Sequence, residues 1–412
     1  MPDVPGRAGY RFDEHDLAFL VSGAGVDALT AAASRPLLES TVLADLTALR
    51  RIAGARAAAV AETVRLRRRA VDKLGAAAAD WLFTDEAVQQ ATPLPVARAR
   101  AARLAGRGVH DLTCSIGADL AALLPVCEPA IGTDLDPVRV RMAAHNLATA
   151  GLPARVAVAD ALRPVSNRLL GYADPARREA GGRRITSVDT VPSVADLDAV
   201  FAGRPPVLRL PPGIDYESLA RPGEVEIVSL DGSAREAVLW PAELATAGRR
   251  ATVLSSAGDG YQLTDDDPDD IPPVPPPSGL VGAVIVDPDP AVVRAHLVRH
   301  YATRHGLTQL DPHLAYLTGP EPPAGVRSFR VLDAAPYTLP TVTGWIRRDG
   351  AGTVEIKQRG TPVVPDELRK RLRPAMSRAT AVAFTLVVAR IGSGPWAFWC
   401  RAHADAPRSS SG

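Results

Sequence analysis

From about Leu37 to Leu74, apolar residues recur at helical spacing with a single break at Gly54, which predicts two or three helices within a helical N-terminal region, residues 1–95. From Gly108 the pattern changes. Short apolar runs, VHDL, AIGTD, RVAVAD, LLGYAD and VLRL, each end near an acid or a Gly-Pro turn, and helical stretches separate the earlier ones. That alternation predicts a parallel α/β sheet, placed here in a domain over residues 96–263. Residues 264–279, TDDDPDDIPPVPPPSG, cannot build a core and read as an extended, polyproline-like linker. Beyond it, Asp289-Pro290 is expected to cap a helix running toward His305. TVEIKQR alternates as a half-buried strand and TAVAFTLVVARI reads as a buried one, so residues 280–405 predict an α+β domain, followed by a polar tail at 406–412.

The 412 residues suit two or three domains. The chain holds 44 Arg and only 3 Lys (Lys73, Lys357 and Lys370), a skew that GC-rich coding produces unaided. Where the charge lies is more informative. The overall balance is +1, but residues 281–412 carry 17 basic and 10 acidic side chains, so the last domain is basic in its own right. No apolar stretch approaches the roughly 20 residues of a membrane span, and the start has no apolar signal core, which predicts a cytoplasmic protein without membrane association. Cys114, Cys127 and Cys400 form no C-x-x-C pair, and no metal site is expected.

The richest segment runs from Val109 to Ala161. A turn of small residues, Thr113-Cys114-Ser115-Ile116-Gly117, follows the first strand and lets the backbone approach a ligand at a helix start. Asp111, Asp134, Asp160 and Asp174 then stand at the ends of four successive predicted strands. Open α/β sheets bind ligands at that edge, although any one such Asp can simply cap the next helix. The turn lacks the glycines of a dinucleotide site.

The spacing D-x-T-x-S-x-G resembles the first motif of class I S-adenosylmethionine-dependent methyltransferases, with Thr113 and Ser115 in place of two glycines. The resemblance implies a Rossmann-like sheet and S-adenosylmethionine as cofactor, held by Asp111, Thr113, Cys114, Ser115 and Gly117. It makes Asp134, with Leu135, similar to the ribose-binding acid, and Asp160, with Ala161, similar to the residue facing the adenine amine. YADPAR lies where the family has its substrate-facing fourth motif, which implies that Asp174 orients the acceptor; the second proline and the aromatic are missing. FTDEAVQQATPLP is similar to the segment covering the methionine end of the cofactor. LRLPPGID, EAVLW and EIKQRGTPVVPDELRKRL resemble a bacterial group carrying a C-terminal THUMP-like domain. That implies an RNA partner, tRNA or rRNA.

Several cations fit such a partner. Arg177, Arg178, Arg183 and Arg184 flank Gly181-Gly182 and either hold a phosphate or carboxylate near the acceptor or form a solvated loop. Lys357 and Arg359 on a strand, with Arg369, Lys370, Arg371 and Arg373 on the next helix, form the densest cluster, which suits a nucleic-acid backbone. Arg65, Arg67, Arg68 and Arg69 are expected on a solvated helix face. His296 and His300 share a helical spacing but have no third ligand nearby, and read as a surface pair rather than a metal site. Cys114 reads as a packing residue rather than a nucleophile. Two other functions stay open: a small-molecule methyltransferase, and a non-catalytic binding protein.

Overall fold

The computed structural model describes residues 10–177 and 190–402. They divide into two compact units, one running to residue 223 and including 235–245, the other holding 224–234 and the chain from 246 onward.

The first unit opens with six helices, α1 (Glu14–Leu20), α2 (Gly23–Ala33), α3 (Val42–Ala53), α4 (Ala57–Leu74), α5 (Asp85–Gln90) and α6 (Leu94–Arg103). Local chemistry sets their ends. Asp13 and Asp16 form a reciprocal capping box on α1, and the Thr84 hydroxyl accepts the Ala87 N–H at the start of α5. Leu49, Val60, Leu66, Leu82 and Phe83 are buried in one core, which also takes in Ile116 and Met142 from the following sheet domain. The arginine face expected to be solvated has other work. Arg67 donates to the carbonyls of Asp80 and Trp81, while Arg68 donates to those of Ala33, Arg35 and Pro36. Arg69 pairs with Asp85, and Arg65 with Glu62 at 3.3 Å.

The sheet domain follows as β1 (Val109–Asp111), α7 (Ala118–Leu123), β2 (Ala130–Asp134), α8 (Pro137–Thr149), β3 (Val156–Val158), β4 (Leu170–Ala173), β5 (Ala176–Arg177), β6 (Thr190–Val191), α9 (Val194–Val200) and β7 (Val207–Leu210). After β8 (Gly223–Leu230), β9 (Ser233–Pro241) returns to this unit. The strands lie in the order β9-β7-β4-β1-β2-β3. All neighbours run parallel except β9, which is antiparallel to β7. The order reverses between β1 and β4, so that edge is the switch point at which an open α/β sheet takes its ligand. β5 and β6 pair separately as a two-stranded ribbon.

In the second unit β8 pairs parallel with β10 (Arg249–Leu254), and β10 antiparallel with β11 (Tyr261–Thr264). A further sheet is built from β12 (Val284–Val286), β13 (Thr308–Gln309), β14 (Leu317–Gly319), β15 (Ser328–Pro336), β16 (Thr353–Arg359), β17 (Ala383–Ile391) and β18 (Gly394–Ala402), in the order β13-β14-β12-β15-β18-β17-β16. TVEIKQR and most of TAVAFTLVVARI form its parallel pair, β16 and β17. Four helices, α10 (Pro290–Arg294), α11 (Val298–Arg304), α12 (Leu339–Asp349) and α13 (Pro365–Leu372), complete the unit. Trp345 of α12 and Leu368 and Leu372 of α13 pack on Phe384, Leu386 and Trp399, covering one face of the sheet.

Two expectations change here. Asp289 does cap α10, accepting the Ala291 N–H at 2.7 Å, but the single helix toward His305 is broken, with His296 at φ +59° between α10 and α11. His296 and His300 therefore share no helix face, and His300 is buried rather than on the surface. The Asp/Pro stretch is not free along its first half: Asp267 and Asp269 pair with Arg304 and Arg299, each at 3.3 Å, and the Asp270 and Pro272 carbonyls accept the Thr303 and Thr308 hydroxyls. Among the described residues no single helix is long and apolar enough to cross a membrane, and no group of His, Cys, Asp and Glu could hold a metal ion.

Candidate active site at the switch point of the first sheet

Asp111 closes β1, fully buried. One carboxylate oxygen accepts the Thr113 N–H at 3.2 Å, whereas Oδ2 is buried with no hydrogen-bond partner among the described residues. Desolvation, reinforced by nearby Asp119, pushes its pKa well above the carboxylate range. The two residues that replace glycines each have a task. Thr113 Oγ1 accepts the Asp174 N–H at 2.8 Å and so joins the ends of β1 and β4 across the switch point. Ser115, at φ +48°, donates its N–H to Asp134 Oδ2 at 2.9 Å. Gly117 is retained for two reasons: its φ is +82°, and a Cβ would meet Ala143 Cβ at 3.2 Å. Cys114 is buried against the sheet and burial holds its thiol protonated, which fits packing and not attack.

Asp134 at the end of β2 takes the Asp136 N–H on its other oxygen at 2.9 Å, so both oxygens order the loop around it. Beside it Leu135 is 68% exposed. Asp160, two residues beyond β3, accepts the Leu162 N–H at 2.9 Å, and Ala161 is buried. A third side chain fixes the turn from behind. Buried Asn146 of α8 donates to the carbonyls of Leu82 and Ile116 and accepts the Leu82 N–H, tying the helical region to the turn.

Asp174 follows β4 and pairs with Arg209 of β7. Desolvation raises its pKa and the guanidinium opposes that rise. Arg209 also binds Glu236 at 3.0 Å, and Glu236 binds Arg100 at 2.5 Å. Arg100 continues to Asp119 at 2.6 Å, which accepts the Tyr172 hydroxyl at 2.8 Å. Four carboxyl groups, Asp111, Asp119, Asp174 and Glu236, thus share two guanidiniums, and the surplus is acidic. Arg100, Asp119, Arg209 and Glu236 escaped the sequence reading. Arg209 within VLRL and Glu236 within EAVLW were the available signal, because a charge inside an apolar strand demands a buried partner.

The remaining candidates separate. Arg177 contributes its backbone to β5, while Arg178, Arg183 and Arg184 lie outside the described residues. Lys357 and Arg359, expected to face a phosphate, both pair with the single carboxylate of Asp287, at 3.3 and 2.8 Å, and Arg359 lies over the Tyr316 ring. The basic surface passes to α13. There and in the turn just after it, Lys370, Arg371 and Arg373 are exposed and take part in no ion pair among the described residues, while Arg369 pairs with Asp366.

Two Mycobacterium tuberculosis proteins (strains CDC 1551 / Oshkosh and H37Rv), each carrying the name uncharacterized S-adenosylmethionine-dependent methyltransferase, are 48% identical to this chain over 351 residues, covering 83% of the chain and 95% of each relative. The chain belongs to the S-adenosylmethionine-dependent methyltransferases. Residues 326–402 of the methyltransferase match the THUMP domain-like family, and residues 13–70 match a domain of unknown function. Its fold is that of a Porphyromonas gingivalis W83 crystal structure assigned as a methyltransferase, with a TM-score of 0.69 at 20% identity over 95% of this chain and 99% of that one. The switch-point residues fit the cofactor. An orphaned buried carboxylate oxygen within an acidic surplus suits a ligand bearing both a sulfonium and an α-ammonium.

Proposed function

We propose that this methyltransferase modifies RNA, a nucleoside of tRNA or rRNA presented by its C-terminal domain. The observation that carries the reading is a THUMP domain-like module, residues 326–402, joined to a methyltransferase sheet in one chain. The exposed cations of α13 give that module a surface suited to a phosphate backbone. S-adenosylmethionine supplies the methyl group on an electrophilic sulfonium, so the cofactor carries the hard chemistry.

The chain's own residues bind and orient. Asp111 meets the cationic end of the cofactor, Asp134 with Leu135 holds the ribose, and Asp160 with Ala161 faces the adenine amine. Thr113 fixes the backbone of Asp174, and Arg209 stabilises its ionised carboxylate. Asp174 then orients the acceptor and takes up or polarises its proton. Calorimetry on Asp134→Ala tests the cofactor site: affinity falls by at least about tenfold, the worth of one lost charge-assisted hydrogen bond. Unchanged affinity removes Asp134 from that role. The RNA reading predicts that the full chain binds RNA with strong salt dependence, and that Lys370→Gln/Arg371→Gln/Arg373→Gln lowers the slope of log K against log salt by about 2 to 3. A flat salt response in the unaltered protein overturns it.

A further inference from the structure

Bordering the acidic switch point, and sharing Arg209 with it, stands a group of cations that the cofactor does not explain. Lys73, in the last turn of α4, donates Nζ to the carbonyls of Val88 and Gln89 at 3.1 and 2.7 Å. The next carbonyl, Gln90 O, lies 3.5 Å from Arg209 Nη2, and Arg209 is the residue that pairs with Asp174. Lys73 and Arg209 therefore grip consecutive carbonyls at the end of α5, beside the acid that faces the acceptor. Exposed Arg235 at the start of β9 makes no ion pair or hydrogen bond among the described residues. Arg209, Arg235 and Arg69 all repel the Lys73 ammonium, and with partial burial they bring its pKa down to about 8. Among the described residues no carboxylate bonds Lys73: Arg69 on its own helix is taken by Asp85 of α5, and Arg209 of β7 by Asp174 and Glu236. Lys73 and Arg235 thus lack an acidic partner among the described residues, and an anionic ligand relieves the repulsion they share with Arg209 and Arg69.

We propose that Lys73, Arg209 and Arg235 form a binding site for a phosphate group of the substrate, next to the acceptor-facing Asp174. The first unit then pairs an acidic interior, suited to a cationic cofactor, with a basic rim, suited to an anionic substrate. This rests on the switch-point edge being the catalytic one. The phosphate belongs either to an RNA backbone or to a free nucleotide.

The test uses inorganic pyrophosphate, followed by calorimetry at low salt on the full chain, the Lys73→Gln variant and the Arg235→Gln variant. S-adenosylmethionine binding in each protein serves as the check on folding. Pyrophosphate affinity falls about tenfold in each variant, and the cofactor affinity holds. Equal pyrophosphate affinity in all three proteins, or none in the unaltered one, overturns the site. Repeating the titration with total RNA separates the two sources. RNA binding that weakens in the variants makes the phosphate an RNA phosphodiester. Pyrophosphate binding without RNA binding keeps the site, removes the RNA reading and makes the substrate a free nucleotide.

Discussion

A buried carboxylate oxygen without a hydrogen-bond partner, as Asp111 Oδ2 is among the described residues, is costly unless it is protonated or met by a cation. With its pKa raised in the folded chain, Asp111 keeps a proton that the unfolded chain releases near about pH 4. The folded state binds more protons above that pH, so the cofactor-free protein loses stability as pH rises, by up to about 1.4 kcal/mol per unit until the folded pKa is passed. Urea unfolding across pH 4–8 should show this slope flattened in Asp111→Asn, and an unchanged slope contradicts the assignment. Arg209→Met strands both Asp174 and Glu236 and should cost about 3–5 kcal/mol by the same measurement. A loss below about 1 kcal/mol means that the network is not what holds this edge. The four strand-end acids were legible because strand ends leave a local mark. The Arg100–Glu236 pair was not: Glu236 inside an apolar strand demands a buried partner, but that partner stands 136 residues away and nothing local names it.

At the scale of elements, the turn after β1 tolerates Thr113 and Ser115 because each joins a bond that glycine cannot supply or takes a positive φ that it can sustain. Gly117 has neither latitude, and Gly117→Ala should destabilise by about 1–3 kcal/mol through backbone strain and contact with Ala143. Helix α4 makes the opposite point. Its arginines read as a charged face, since sequence records the charge and not the carbonyls that receive it. Arg68 secures the end of α2 and the loop to α3 through three carbonyls, and Arg68→Ala should lower the urea midpoint by an amount worth about 1–3 kcal/mol. Silence at this position would return Arg68 to the solvated face. The break at His296 was hidden for a similar reason: the apolar periodicity runs through it, and only the backbone at φ +59° divides α10 from α11.

Across the whole molecule, a near-neutral chain conceals local imbalances of both signs: an acidic surplus at the switch point, cations around Lys73, and exposed cations at the end of α13. The excess of cations over residues 281–412 was legible from the sequence. Which cations carry an acidic partner was not, since Asp287 pairs with both Lys357 and Arg359 from 70 and 72 residues away. The most direct test of the central claim is transfer of tritiated methyl from S-adenosylmethionine into total RNA taken from a strain lacking this gene. The unaltered protein should label RNA at one nucleoside in a tRNA or rRNA, and Asp174→Ala should lower that labelling at least about hundredfold, as expected for loss of an acid–base or orienting group. Labelling confined to small molecules, or none in RNA, would contradict it.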